Sequence, residues 1–221
     1  MGLNLPQVIG HRGAALAAPE NTLESFREAA AQGAKWVEFD VGLSADGQCF
    51  VLHDDTLDRT TSGKGPAHRK TIACLTELDL MANVEIKGAP EGRHAELAKA
   101  VMAELRKFWP AAKPKPLISS FELECLRTAH AEAPEFPRGY LIWGREVDWL
   151  AKARSVAAAT INIDGDHATR EWMAELKQAG YGVLGWTVNA PERAARLIEW
   201  GADGVFTDAP GAVLARLGKG V

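Results

Sequence analysis

Short apolar runs alternate along the chain with longer stretches in which apolar residues return every three or four positions. The first spacing is that of buried strands and the second that of amphipathic helices, so the alternation predicts βα units on a parallel sheet rather than a sandwich. Eight runs fit strands: QVIGH, WVEFDVGL, NVEIK, PLISSF, GYLIW, ATINI, GVLGWTV and DGVFTD. Helical patterns fill the intervals in NTLESFREAAAQG, RHAELAKAVMAELRKF, LECLRTAHAE, DWLAKARSVA, TREWMAELKQAG, PERAARLIEWG and PGAVLARLG. In the first of these, Asn21 is a candidate N-cap, Glu24 would close the capping box, and Gly33 marks the stop.

One further extended stretch, GQCFVLHDD, follows WVEFDVGL after only SAD. A parallel crossover needs about a dozen residues, so this stretch is expected to fold back as a hairpin. Eight βα units imply a (β/α)8 TIM barrel, small against the usual size of about 250 residues. The alternative, a doubly wound open sheet, lacks its phosphate fingerprint: no GxGxxG follows the first strand. An eighth helix is poorly marked. The connection before the third strand is shortened to KGPAHRKTIACLTELDLMA, with room for a short helical turn around residues 73–81.

Composition narrows the class without changing the fold. With 221 residues, 47% of them hydrophobic, the chain is long enough for a single domain over 1–221 with a substantial core. A net charge of −4 and no clustering of Lys and Arg among aromatics argue against a nucleic-acid partner. No apolar run reaches the roughly 18 residues of a membrane span, and no basic leader opens the chain. A cytoplasmic location without stable membrane association is expected. Cys49, Cys74 and Cys125 form an odd set without CxxC spacing, which suggests reduced, structural thiols rather than disulfides or a zinc site.

The acids of WVEFDVGL raise the chemical question. Val37, Phe39, Val41 and Leu43 share one face of the strand, while Trp36, Glu38 and Asp40 share the other. A half-exposed antiparallel strand would leave such acids in water. A barrel strand is buried on both faces, so there the acids point inward and need counter-charges or a metal. NVEIK repeats the pattern, with Asn83, Glu85 and Lys87 opposite Val84 and Ile86. Three carboxylates then converge with one ammonium. Hard oxygen ligands favour Mg²⁺ or Ca²⁺, with Mn²⁺ also accommodated; the competing account is a buried Lys87 paired with one acid and a second acid bonded to backbone. His11 and His53 both end extended segments, where barrel chemistry sits, and are candidates for general acid and base. Arg12 and Lys87 supply the fixed positive charge a phosphate needs. The set spells metal-assisted phosphoester cleavage.

The succession HRG, APENT, VEFD, VLHDD, LDRTTSG, NVEIK, SSF, WTVN and GADGVFTD resembles the glycerophosphodiester phosphodiesterases, and most closely their bacterial cytoplasmic members. The resemblance implies a (β/α)8 barrel that hydrolyses a small-molecule glycerophosphodiester to sn-glycerol 3-phosphate and an alcohol with a divalent cation. It implies that Glu38, Asp40 and Glu85 hold the cation, that His11 and His53 share the proton transfers, and that Arg12 and Lys87 contact phosphate. Glu20 and Asn21 of APENT would lie near the same rim, although helix capping alone would account for Asn21. Phe121 and Trp186 would form an aromatic wall for the glycerol carbons, or pack as core. The shortened connection departs from the family, where a capping insertion stands, and predicts broad tolerance for the alcohol. Two rivals are a phospholipase C- or D-like lipid phosphodiesterase, which needs a membrane-facing apolar patch, and a silent phosphoester-binding barrel, which should have lost a histidine or a metal acid.

Overall fold

Every residue of WVEFDVGL is buried in the structure, a computed structural model that describes residues 3–44, 46–54, 56, 59–60, 80–89 and 92–218. Its odd-numbered apolar residues Val37, Phe39, Val41 and Leu43 join Phe26 and Ala29 of the first helix and Leu97, Val101 and Leu105 of the second in one core cluster. Its acids therefore face the other way, into the sheet's concave side. Each fully buried Leu, Val or Phe side chain favours this arrangement by about 1.5–3 kcal/mol, so the outer apolar layer fixes where the acids must point.

The strands are β1 (Val8–Gly10), β2 (Trp36–Leu43), β3 (Cys49–Val51), β4 (Met81–Ile86), β5 (Leu117–Ser120), β6 (Arg138–Ile142), β7 (Thr160–Asp164), β8 (Gly182–Trp186) and β9 (Gly204–Thr207). They pair in the order β1-β9-β8-β7-β6-β5-β4-β2-β3, and β1 also pairs with β2. Eight strands therefore close into a parallel (β/α)8 barrel, with β1 seated between β2 and β9. Closure excludes the open doubly wound sheet. β3 lies outside the ring as the expected hairpin return, antiparallel to β2 with Val41 opposite Val51 and Leu43 opposite Cys49.

Among the described residues the helices are α1 (Leu23–Ala31), α2 (His94–Phe108), α3 (Leu123–Glu132), α4 (Trp149–Ser155), α5 (Arg170–Gln178), α6 (Pro191–Glu199) and α7 (Pro210–Leu217). None is long and apolar enough to cross a membrane. A second outer cluster, including Ile161, Val183, Trp172 and Leu197, covers β6 to β9. Ile9, Trp36, Leu117, Leu184 and Phe206 form a separate cluster. Of the shortened connection, residues 64–79 lie outside the described residues, and with them most of the expected helical turn; Met81 opens β4.

The start of α1 corrects the sequence reading. Thr22, not Asn21, is the N-cap; its hydroxyl accepts from Ser25 N, and Ser25 rather than Glu24 closes the capping box. Asn21 stands one residue outside in a left-handed conformation, φ 57°. The physical reason is a stronger claim on its side chain: Asn21 Nδ2 donates to Asp40 Oδ2 at 2.9 Å, and Asn21 Oδ1 accepts from Asp40 N at 3.3 Å. Gly33, with φ 94°, follows the helix as expected. Cys49 and Cys125 are free thiols pushed by burial up to about 11 and about 12, in keeping with a structural role; Cys74 lies outside the described residues.

Candidate active site

The HRG turn builds the first side of the site. His11 N donates to Thr207 O at 2.8 Å, which continues the β1–β9 seam by one residue. Arg12 then takes φ 51° and Gly13 φ 89°. A side chain on Gly13 would collide with Ser25, whose hydroxyl donates to Arg12 O at 2.8 Å. The left-handed Arg12 is backbone strain of the kind kept at functional sites. It brings Arg12 N onto Glu38 Oε2 at 3.0 Å and Arg12 Nη1 onto Glu20 Oε1 at 2.9 Å. Arg12 Nε stands 3.3 Å from Asp40 Oδ2, close enough for an ion pair but without hydrogen-bond geometry.

The parallel β2–β4 register sets Glu38 beside Asn83 and Asp40 beside Glu85. Oxygens of Glu38, Asp40 and Glu85 consequently lie within 4.8 Å of one another, with Glu38 2% and Asp40 1% exposed. Burial first, then repulsion from Asp40 and Glu85, pushes the Glu38 carboxyl well above the usual carboxylate range. Burial and Asp40 likewise raise Glu85, against the opposing pull of Lys87. Lys87 Nζ sits 3.0 Å from Glu85 Oε1 and 3.6 Å from Asp40 Oδ1. Burial opposes the Lys87 charge, but Glu85 and Asp40 outweigh it and hold the ammonium more basic than usual.

These residues fit a divalent cation. Glu38 Oε1 is buried with no hydrogen-bond partner, and Lys87 is too far from Asp40 to hydrogen-bond it. The competing account, a Lys87 pair plus a backbone-bonded acid, leaves that oxygen unsatisfied. Oxygens around one hard cation lie at most about 4–5 Å apart, which matches the spread of the three carboxylates.

Both histidines are anchored through Nδ1. His11 Nδ1 lies 2.7 Å from Asp208 Oδ1, and His53 Nδ1 lies 2.7 Å from Asp54 Oδ1. An ionised carboxylate only accepts, so Nδ1 carries the proton in each ring and Nε2 is left to work. His11 Nε2 is 3.9 Å from Glu38 Oε2 and 3.5 Å from Thr187 Oγ1. Burial alone would raise the Asp208 carboxyl, but the bonds from His11 and from Asn189 Nδ2, the latter at 2.6 Å, hold it below the usual range. The Asp54 carboxyl is lowered by Arg59 and then by His53.

His11, Arg12, Glu38, His53, Glu85 and Lys87 line one side of a cavity of about 230 Å³, and Phe121, Leu141, Trp143, Trp186 and Phe206 line the other. Trp143 stacks on Phe121 with centroids 5.1 Å apart, and Trp186 meets both edge-on at 4.7 and 5.3 Å. Trp186 Nε1 donates to Asn162 O at 3.0 Å. Charge on one wall and aromatic carbon on the other suit a small molecule with an anionic centre and an apolar flank.

Comparison with known proteins agrees with this chemistry. The chain matches the family model described as glycerophosphoryl diester phosphodiesterase over residues 11–92 and 77–212. The chain belongs to that family. It is therefore an enzyme, a phosphodiesterase that hydrolyses glycerophosphodiesters. A glycerophosphodiester phosphodiesterase of Caldanaerobacter subterraneus is 28% identical over 244 residues, covering 96% of this chain and 98% of the relative. A phosphodiesterase of Oleispira antarctica, solved in complex with the product sn-glycerol-3-phosphate, superposes with a TM-score of 0.90 at 33% identity, with 97% of each chain covered. The glycerophosphodiester phosphodiesterase of Thermotoga maritima gives 0.71 at 28% identity, covering 95% of this chain and 96% of that one.

The phosphodiesterase site gathers most of the residues expected from sequence, but three of them do not line the cavity: Glu20 lies between Arg12 and Arg59, Asn21 holds Asp40, and Asp40 itself is buried within the carboxylate cluster. Trp143, Asp54, Asp208, Asn189 and Arg59 went unassigned. The available signals were Trp143 at the end of GYLIW, and a carboxylate directly after His53 and at the end of GVFTD.

Proposed function

We propose that this phosphodiesterase releases sn-glycerol 3-phosphate from glycerophosphodiesters with one divalent cation held by Glu38, Asp40 and Glu85, Mg²⁺ or Ca²⁺ and also Mn²⁺. The observation that carries the reading is the partnerless, buried Glu38 Oε1 within a crowded carboxylate cluster, beside two histidines whose Nδ1 atoms are already committed. A bound cation would offset negative charge on the phosphoryl oxygens. Arg12 and Lys87 bind and orient those oxygens from the same wall. One histidine gives its Nε2 proton to the departing alcohol oxygen as that P–O bond breaks. The other takes a proton at Nε2 from the attacking oxygen, of water or of the glycerol hydroxyl, as the new P–O bond forms; each such transfer contributes about 10²- to 10⁴-fold. Phe121 and Trp186, with Trp143, flank the glycerol carbons. The product in the Oleispira antarctica relative supports the substrate class.

The whole chain, 1–221, is read as a single catalytic domain, supported by a family match that runs from 11 to 212 on one closed sheet. A lipid-cleaving alternative would need an apolar face. Among the described residues, Leu16, Trp143 and Val147 are exposed in strand-end loops, but they follow β1 and β6, which stand four strands apart either way round the ring and so do not merge into one patch. The test is release of sn-glycerol 3-phosphate from glycerophosphocholine and glycerophosphoethanolamine after chelation, and again with Mg²⁺ or Ca²⁺ restored. Activity should vanish with chelator, return with cation and differ little between the two substrates. Cation-independent release would overturn the metal assignment, and a steep preference would overturn the broad tolerance.

A further inference from the structure

Among the described residues, β3 is an edge strand of three residues paired only with β2, whereas β1 is paired on both sides. His11 therefore stands on the closed ladder, and His53, two residues beyond β3, does not. A catalytic ring needs its position fixed to about half an ångström, so His53 must be steadied by side chains. Arg59 does this. Its Nε and Nη2 donate to Asp54 Oδ2 and Oδ1 at 2.6 and 2.9 Å, and its Nη1 and Nη2 donate to Glu20 Oε2 and Oε1 at 2.8 and 2.7 Å. Each of those carboxylates also meets a group of the cavity through an oxygen that Arg59 already holds: Asp54 Oδ1 lies 2.7 Å from His53 Nδ1, and Glu20 Oε1 accepts from Arg12 Nη1 at 2.9 Å.

We propose that Arg59, which does not line the cavity, is a positioning residue that joins His53 and Arg12 in one chain, His53–Asp54–Arg59–Glu20–Arg12, and so fixes the spacing between a proton-transfer group and a phosphate-binding group. An exposed arginine pair is ordinarily worth little, and Arg59 is about half exposed. Here the planar fork engages two carboxylates bidentately and sits between two negative charges that would otherwise face each other, a geometry a point charge cannot reproduce. Arg59 is also the first cause that holds both the Asp54 and the Glu20 carboxyl below the usual range. The opposite histidine needs no such cation: Asp208 is held by the neutral Asn189, which donates from Nδ2 and accepts Asp208 N on Oδ1 at 2.8 Å.

The inference rests on the proposed function for its kinetic arm only. Arg59→Met should lower kcat on glycerophosphocholine about 10- to 100-fold, the usual scale for residues that orient a ligand group, while KM changes less than about threefold. Arg59→Lys should recover only part, and added guanidinium ion should restore rate to Arg59→Ala. In an Asp54→Asn background the Arg59→Met loss should shrink to the part that passes through Glu20 and Arg12, because the rest acts through His53. A second readout is independent of turnover: the hydrogen-bonded His53 Nδ1 proton in the NMR spectrum should be sharp in the wild type and lost in Arg59→Met at unchanged circular dichroism. Unchanged kcat, a loss confined to KM, full additivity with Asp54→Asn, or an unaltered Nδ1 proton would each overturn the positioning role. A wild-type protein inactive on every glycerophosphodiester would overturn the substrate assignment instead, and the Nδ1 proton would still decide on Arg59.

Discussion

Glu38 is held where a carboxylate is least at ease: buried, beside Asp40 and Glu85, with one oxygen unmet. The discomfort predicts a trade between stability and function. Glu38→Gln removes the charge while keeping the shape, so it should raise the melting temperature of the cation-free protein, by about 2–4 °C for each kcal/mol relieved, and abolish the further rise that Mg²⁺ or Ca²⁺ gives the wild type. The same crowding sets a pH dependence. Glu38 and Glu85 have folded values raised above 4.5, so between 4.5 and the raised value the folded protein holds more protons than the unfolded one. Their contribution to stability therefore falls as pH rises through that window. Asp208 and Glu20, lowered in the fold, contribute stability above their unfolded values and lose it only in stronger acid. The cation-induced gain in melting temperature should grow as pH rises above the ordinary carboxylate range, as protons cease to compete for the ligands; scanning fluorimetry with and without cation would show a flat gain if the acids were already ionised. Most of this site was legible residue by residue, because period-two alternation put Glu38, Asp40 and Glu85 on one face. The carboxylate behind His11 was not, since nothing local joins it to a residue 197 positions away, whereas Asp54 directly follows His53.

At the scale of elements, the start of α1 separates two duties that the sequence placed on one residue. Asn21 and Thr22 are both good N-caps, and what decides between them is Asp40, which lies on β2 and draws the Asn21 amide away. Local propensity carries no trace of that contact. Thr22→Ala should cost about 0.5–2 kcal/mol of stability and leave cation affinity near the wild-type value. Asn21→Gly, which keeps the left-handed backbone without strain, should do the reverse, weakening the cation through a less constrained Asp40 while leaving the helix capped. Urea unfolding and calorimetric cation titration on the two variants would separate them; equal effects on both quantities would defeat the division. The hairpin, by contrast, was legible from spacing alone, because three intervening residues admit no parallel crossover.

For the whole molecule, the eight-strand barrel followed from the sequence because each strand carries an apolar outer face and each following helix a complementary stripe. What spacing could not supply was the cross-barrel geometry, in which the aromatic wall of β5, β6 and β8 meets the charged wall of β1, β2 and β4 over one cavity. The ring is sealed where β1 meets β9, and His11 and Asp208 stand on the two sides of that seam. During synthesis the carboxylate that anchors this histidine leaves the ribosome 197 residues after it. A nascent chain thus carries Arg12, Glu38, Asp40 and Glu85 while the imidazole at residue 11 still has no carboxylate to hold it, and the barrel is sealed only when β9 is delivered.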